Sequence, residues 1–310
     1  MTRAASSLLL AACASTSHDK PDSAANAVPE TFVGDESVRY TDLSAGSHLA
    51  CTVDEVGFVR CWAGTISTCL QPPASLVAAD VDVRGGAEPC AIEAANRDVV
   101  CWDVQTNEVT RTLEGPFASL SGGCALRVDG TIACWSAFDD CPTDPPSGTY
   151  ASLDSGHSGA AVSDEGSLVL WGPYTCEEFD IKGSDCVRCP DRGSFAGPYV
   201  LPAHAALYSG GCGVLEAGGV SCFEGSRPGL GVGAPASGSW VDLDVRDFSS
   251  GCALGASGTA TCWGLTTDVP TVPFRQLENM GNLAWCGLGT DGVVSCWADV
   301  LPYRWSACTQ

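Results

Sequence analysis

Six stretches of the chain share one unusual figure: "CTVDEVGFVRCW" (51–62), "CAIEAANRDVVCW" (90–102), "CALRVDGTIACW" (124–135), "CGVLEAGGVSCF" (212–223), "CALGASGTATCW" (252–263) and "CGLGTDGVVSCW" (286–297). In each, two cysteines frame a turn and an aromatic residue follows the second one. A hairpin explains the spacing. If Val128-Asp129-Gly130 is a three-residue loop with its glycine in the left-handed conformation, Arg127 faces Thr131 and Cys124 falls opposite Cys134. Opposed Cβ atoms on antiparallel strands lie roughly 4.5–5.5 Å apart, so a disulfide needs only a small adjustment. This predicts the pairs Cys51–Cys61, Cys90–Cys101, Cys124–Cys134, Cys212–Cys222, Cys252–Cys262 and Cys286–Cys296, with a bulge or longer loop for the extra residue of the second.

A seventh copy, "GAAVSDEGSLVLW" (159–171), carries Ala160 and Leu170 where the cysteines would stand. Both are lost together, as bonded partners would be, because one orphan would be a reactive thiol in an oxidising space. The competing reading is six pairs of buried free thiols in a cytosolic protein.

Each unit opens with an aromatic or apolar strand such as "YTDLSAG", "FASLSGG", "YASLDSG" or "FRQLENM". The anchors Trp62, Trp102, Trp135, Trp171, Phe223, Trp263 and Trp297 follow one another at 40, 33, 36, 52, 40 and 34 residues. Glycine is frequent and no stretch sustains a helical apolar period, so the chain reads as all-β. Strand-and-turn repeats of this period bury their faces on one another in β-propellers, here a seven-bladed one. "PYRWSAC" (302–308) resembles the opening "PFRQL" (273–277) and would suit a ring-closing strand.

The segments "CALRVDGTIACW" and "CALGASGTATCWG" resemble the repeat of the regulator-of-chromosome-condensation family, and "GLGVGAP" (229–235) is similar to the glycine stretch that follows the tryptophan there. The resemblance covers about 40–300 and implies a seven-bladed β-propeller of that family's repeats. After most tryptophans the family's asparagine and glycine-rich segment are absent, so its binding loops are not carried over. Members act as exchange factors for small GTPases and as secreted inhibitors of β-lactamases, so the fold does not select a function.

"MTRAASSLLLAAC" pairs Arg3 with a short apolar run ending at Leu10-Ala11-Ala12-Cys13, which looks like a bacterial lipobox. It predicts a signal peptide over 1–13 with Cys13 as the lipidated residue, a disordered tether over 14–38, and a propeller over 39–310. An ordinary secretory signal, or no signal at all, are the alternatives. The formal charge of −22, from 37 acidic against 15 basic residues, repels phosphate backbones and anionic lipids. Nucleic acid is excluded as a partner, and the membrane is reached only through the anchor.

Residues 172–204 lengthen one connection and hold Cys176, Cys186 and Cys189. Zinc and redox chemistry are weak readings there, since only three thiols are local and no thioredoxin-like βαβ unit surrounds them. With Cys69, Cys141 and Cys308 they make an even set of undetermined pairing. His48 and His157 share one repeat position and read as structural; Gly229–Gly233 reads as a turn rather than a nucleotide loop. No metal, cofactor or catalytic constellation emerges. The insertion offers Tyr174, Phe179, Arg188, Arg192, Phe195 and Tyr199 as interface anchors. The sequence thus suggests a monomeric, non-catalytic scaffold of the bacterial cell envelope binding an extracytoplasmic protein or glycan. The alternatives are a secreted inhibitor of the β-lactamase-inhibitor type and, third, an extracytoplasmic enzyme.

Overall fold

The computed structural model describes residues 32–33, 37–46, 49–63, 72–83, 88–135, 147–155, 159–171, 178–179, 186–188, 193–204, 210–224, 227–228, 233–247, 249–264, 269–280 and 284–298. These are strands and turns throughout. Seven antiparallel sheets of three or four strands follow one another along the chain, plus one two-stranded ribbon. The sheets open with Tyr40–Ala45, Ala78–Asp82, Phe117–Ser121, Tyr150–Ser155, Tyr199–His204, Trp240–Asp247 and Phe274–Asn279. Each opening strand touches the opening strands of both neighbouring sheets, the seventh touching the first, so the seven form a closed inner ring. That is the architecture of a β-propeller.

In six sheets the second and third strands carry the cysteine pair in register. Cys51 faces Cys61, Cys90 faces Cys101, Cys124 faces Cys134, Cys212 faces Cys222, Cys252 faces Cys262 and Cys286 faces Cys296. All six pairs are disulfide-bonded, with Cα atoms 4.0–4.1 Å apart. In the fourth sheet Ala160 faces Leu170 at the same place, both fully buried. Hydrocarbon there does by packing what the bridge does covalently elsewhere. Such a density of disulfides belongs to an extracellular or otherwise oxidising compartment. No helix among the described residues is long and apolar enough to cross a membrane.

The loop of the third sheet is the three-residue one expected. Arg127 N–H bonds to the Thr131 carbonyl, and Gly130 takes φ +84°. The second sheet absorbs its extra residue in a longer loop, where Arg97 N–H reaches the Glu93 carbonyl and Arg97 itself, not a glycine, sits at φ 65°. That strain of a non-glycine residue is offset by use: the Arg97 guanidinium donates to the Phe117 and Ala118 carbonyls of the third sheet.

The ring is closed from the N-terminal side. Phe32–Val33 pairs with the last strand, Val294–Ala298, and becomes the outer strand of the seventh sheet. These two residues lie in the stretch read from sequence as tether. The C-terminal copy at 302–308 lies outside the described residues. The loop turn of each sheet also holds the next sheet: the Gly57, Arg97, Gly130, Gly166, Gly258 and Gly292 carbonyls accept the backbone N–H of Ala78, Phe117, Tyr150, Tyr199, Phe274 and Tyr40. At the one remaining junction Trp240 Nε1 donates to the Gly218 carbonyl instead.

Copying the fourth sheet's solution onto the third tests the role of the bridges. Cys124→Ala with Cys134→Leu should leave strand content unchanged and lower unfolding free energy by about 2–3 kcal/mol, the loop-closure value for a ring of this size, measured by denaturant titration. An unchanged midpoint would show the bridges to be thermodynamically idle.

Candidate functional site

An inner ring of strands poses a hydrogen-bonding problem. The axial edge of each opening strand is a sheet edge whose N–H groups have no further strand to bond. The sequence answers it with acceptors placed two residues apart: Asp42 and Ser44, Asp80 and Asp82, Ser119 and Ser121, Ser152 and Asp154, Asp242 and Asp244, Gln276 and Glu278. In all seven sheets a register shift falls between the first and third residues of the opening strand, for example between Tyr40 and Asp42 and between Phe274 and Gln276. The extra residue of the bulge lets the first position stay in the core while the third and fifth turn toward the neighbouring sheet.

The bonds then repeat around the ring. Asp42 accepts from Val81 N–H at 2.9 Å and Ser44 from Val83 N–H at 3.1 Å. Asp80 accepts from Leu120 N–H and Asp82 from Gly122 N–H, at 2.9 and 2.8 Å. Asp242 and Asp244 accept from Leu277 and Asn279. Gln276 and Glu278 accept from Leu43 and Ala45, which joins the last sheet to the first. Side-chain bonds from Ser44 to Asp82 and from Ser121 to Asp154 add to the series.

The exceptions follow the same rule. The fifth sheet has Pro202 where the others present an N–H, and the Ser152 hydroxyl of the fourth sheet, which would have served it, has no partner among the described groups. Leu201 cannot accept for the sixth sheet, and there Leu243 N–H bonds to Asp242 of its own strand instead.

Seven carboxyl groups thus line one small ring. Burial pushes Asp80 well above the ordinary carboxylate range, and the like charges of Asp42 and Asp82 push it further. Asp42 is raised as well, again chiefly by burial, opposed by hydrogen bonds from Asp80, from the Val81 and Leu43 N–H groups and from Gln276. Both keep part of their surface open, yet protein encloses them around the ring. The described residues contain no cluster of histidine, cysteine or acids arranged to hold a metal ion.

The residues singled out from sequence divide into three groups. Phe195 lies in Gly193–Phe195, the fourth strand of the fourth sheet, and stacks on Phe223 with ring centroids 3.9 Å apart. Tyr199 opens the fifth sheet, is buried, and meets Phe223 edge-on. Tyr199 stands where the other sheets have Tyr40, Tyr150 or Phe274, and the half-buried Phe195 of the insertion packs against the same Phe223. Phe179 and Arg188 fall in the two-stranded ribbon, Glu178–Phe179 with Cys186–Arg188, which joins none of the seven sheets. Tyr174, Arg192, Cys13, Cys69, Cys141, Cys176, Cys189, Cys308, His48 and His157 lie outside the described residues. Sequence reading passed over the alternating acceptors, whose signal was the recurrence of Asp, Ser, Gln or Glu two residues apart in every opening strand but the fifth.

The fold and ring define a disulfide-bonded β-propeller. No protein-family model and no curated protein matches the chain. Among solved structures it is similar to the CRINKLY WD40 ectodomain of the receptor kinase ACR4 of Arabidopsis thaliana, at 19% identity and TM-score 0.53, covering 76% of this chain and 83% of that one. The ectodomain of the Physcomitrella patens receptor kinase CR4 is similar at 21% identity and TM-score 0.58, covering 87% and 74%. The propeller domain of Cps50 (Swd1) from Myceliophteria thermophila matches at 12% and 0.57, covering 87% and 100%. At these identities the likeness is one of fold.

The acceptor ring makes a graded prediction. Asp242→Ala strands the buried N–H of Leu277 and should cost about 1–3 kcal/mol of unfolding free energy, whereas Ser152→Ala, which removes a hydroxyl serving no donor, should cost at most about 0.5 kcal/mol. Equal losses in parallel denaturation curves would refute the stapling role.

Proposed function

We propose that this chain is a cell-envelope binding scaffold with no chemistry of its own: a seven-bladed propeller of regulator-of-chromosome-condensation type, anchored by lipid at Cys13, presenting the 172–204 insertion to an extracytoplasmic protein or glycan. The observation that carries this reading is the ribbon Glu178–Phe179 with Cys186–Arg188, which is paired only with itself while every other described strand belongs to a blade. A segment that adds nothing to the ladder of any blade, and that mixes Phe179 and Arg188, has the chemistry of a recognition element on a rigid support.

Three further features support it. The disulfides suit a compartment outside the cytoplasm. The polar groups of the ring interior are engaged in holding sheet to sheet. Two of the similar solved structures are ectodomains of receptor kinases. Phe195 and Tyr199 are withdrawn from the contact surface because they hold the fifth blade to the fourth; Tyr174, Phe179, Arg188 and Arg192 remain.

Phe179→Ala with Arg188→Ala should leave the unfolding transition unchanged and weaken recovery of a stoichiometric partner, captured by cross-linking on intact cells, by about tenfold or more, since anchors of these types carry roughly 1–2 kcal/mol or more each. Undiminished recovery would move the contact surface elsewhere. Cys13→Ser should release the protein from membranes; a variant that still sediments with them would remove the lipid anchor from the proposal.

A further inference from the structure

The junction between the fifth and sixth blades departs from the rule of the ring at the first three positions of its opening strands. The first residue is buried in six blades, where Tyr40, Ala78, Phe117, Tyr150, Tyr199 and Phe274 are at most 7% exposed. In the sixth blade it is Trp240, half-buried. Its indole lies on Gly238, where a Cβ would fall 2.2 Å from Cζ2, and its Nε1 donates to the Gly218 carbonyl at 2.8 Å, so the ring is held in one orientation with part of its surface open. The second residue is exposed in every blade. Five of these are Thr41, Ala79, Ala118, Ala151 and Arg275; the other two, Val200 and Val241, stand on adjacent strands and are 44% and 52% exposed. The third residue is an acceptor everywhere except at Leu201, which is half-buried and packs with Trp240 in the apolar cluster between the two sheets.

These side chains open on the face of the ring that carries the hairpin turns, because each turn carbonyl lies level with the first residue of the next blade. The other large apolar side chains exposed among the described residues, Val56, Phe58, Val77, Val128 and Val272, lie in turns or at strand entries on that same face, and only Val109 lies elsewhere. Tyr199 N–H bonds to the Gly166 carbonyl and Glu216 N–H to the Pro198 carbonyl, which sets the turns of the fourth and fifth sheets beside Val200. Those turns carry Asp164, Glu165 and Glu216, all exposed and without an ion pair among the described residues. Of the arginines on this face, Arg97, Arg127 and Arg275 donate to backbone carbonyls.

We propose that Trp240, Val241, Val200 and Leu201 form a docking site for a basic protein, which sets an apolar side chain against the two valines and a neighbouring Lys or Arg over the Trp240 indole, toward Asp164, Glu165 and Glu216. Apolar side chains exposed singly are ordinary, but four at one junction make a patch, and such patches mark interaction sites. The charge of the occupant follows from the surroundings: an indole face attracts a cation, and the acidic fringe adds to that attraction and steers the approach. A second copy of this chain would bring the same acids to the contact and be repelled. The site also gives the missing acceptor at Leu201 a use, since a carboxylate there would place a charge in the apolar contact. The ribbon at 178–188 contributes nothing to it, so the two surfaces stand or fall separately.

The probe is an acetylated and amidated hexapeptide alternating lysine and leucine, titrated into the full chain with labelled valine methyl groups and indole nitrogens. The Val200 and Val241 methyl signals and the Trp240 indole signal should shift, while Val109, exposed on the outer strand of the second blade, should stay in place. The shifts should shrink as ionic strength rises from about 10 to about 300 mM. Val200→Ala with Val241→Ala copies Ala79, Ala118 and Ala151; it should leave the melting curve unchanged and weaken the peptide about tenfold. Glutamate in place of lysine, or serine in place of leucine, should abolish the response. No shift at millimolar peptide, equal movement of Val109, or an equal response to the glutamate peptide or to a neutral cello-oligosaccharide would overturn the proposal. Phe179→Ala with Arg188→Ala should bind the peptide as the wild type does; loss of binding there would assign the contact to the ribbon and overturn this site while leaving the ribbon's own role standing.

Discussion

Acceptance of backbone N–H groups by the side chains of the preceding blade is the interaction on which the ring depends. A propeller's outer strands are joined by ordinary ladders, but its inner strands meet edge to face, where no ladder can form. Val81, Leu120, Leu277 and Leu43 would each leave a buried donor facing another sheet. An unsatisfied buried group of this kind costs about 1–3 kcal/mol, so several left open would exceed a large part of a domain's net stability. Short acidic side chains solve the problem because a carboxylate offers two acceptor oxygens and few rotatable bonds. The same choice packs like charge into one ring, which explains why the raised carboxyls, Asp42 and Asp80, both sit there.

The disulfides work at a different level. Each of the six described bridges lies within a single hairpin and ties no blade to another. They stiffen the units, and the carboxylates with the turn carbonyls assemble them. Thin blades with small residues such as Ala91, Ala125 and Ala253 in the middle strands bury limited apolar surface, and a covalent link across each hairpin compensates for a modest core. The hairpin of the fourth blade carries no cysteine pair; Leu168, Leu170 and Phe195 fill the corresponding space with Tyr199 and Phe223 from the fifth. Closure by Phe32–Val33 then joins that strand and the last blade in one sheet.

Under the proposed function, a ring joined this way would present a surface segment rather than move. The insertion's Gly193–Phe195 is paired to the strand Leu168–Trp171 of the fourth sheet. Rigid supports of this sort lower the ordering cost of binding.

The sequence by itself determined the number of units, the hairpin register and the identity of the bridged cysteines, because all three follow from local geometry: period-two strands, a turn of fixed length, and residues facing each other across it. It also held the acceptor pattern, visible as acids and serines two apart in the opening strands, but not its meaning. Whether Asp42 serves Val81, nearly forty residues on, depends on a bulge that re-aims the strand and on a ring that brings the next blade alongside. Phe195 and Tyr199 show the same limit. In the sequence they are aromatic residues in a long insertion, indistinguishable from Phe179; only the packing of Phe223 between them decided that they belong to the core. Local periodicity fixes which residues face one another within a hairpin, whereas contacts between blades are set by closure of the whole ring, a global condition that no single stretch of chain encodes.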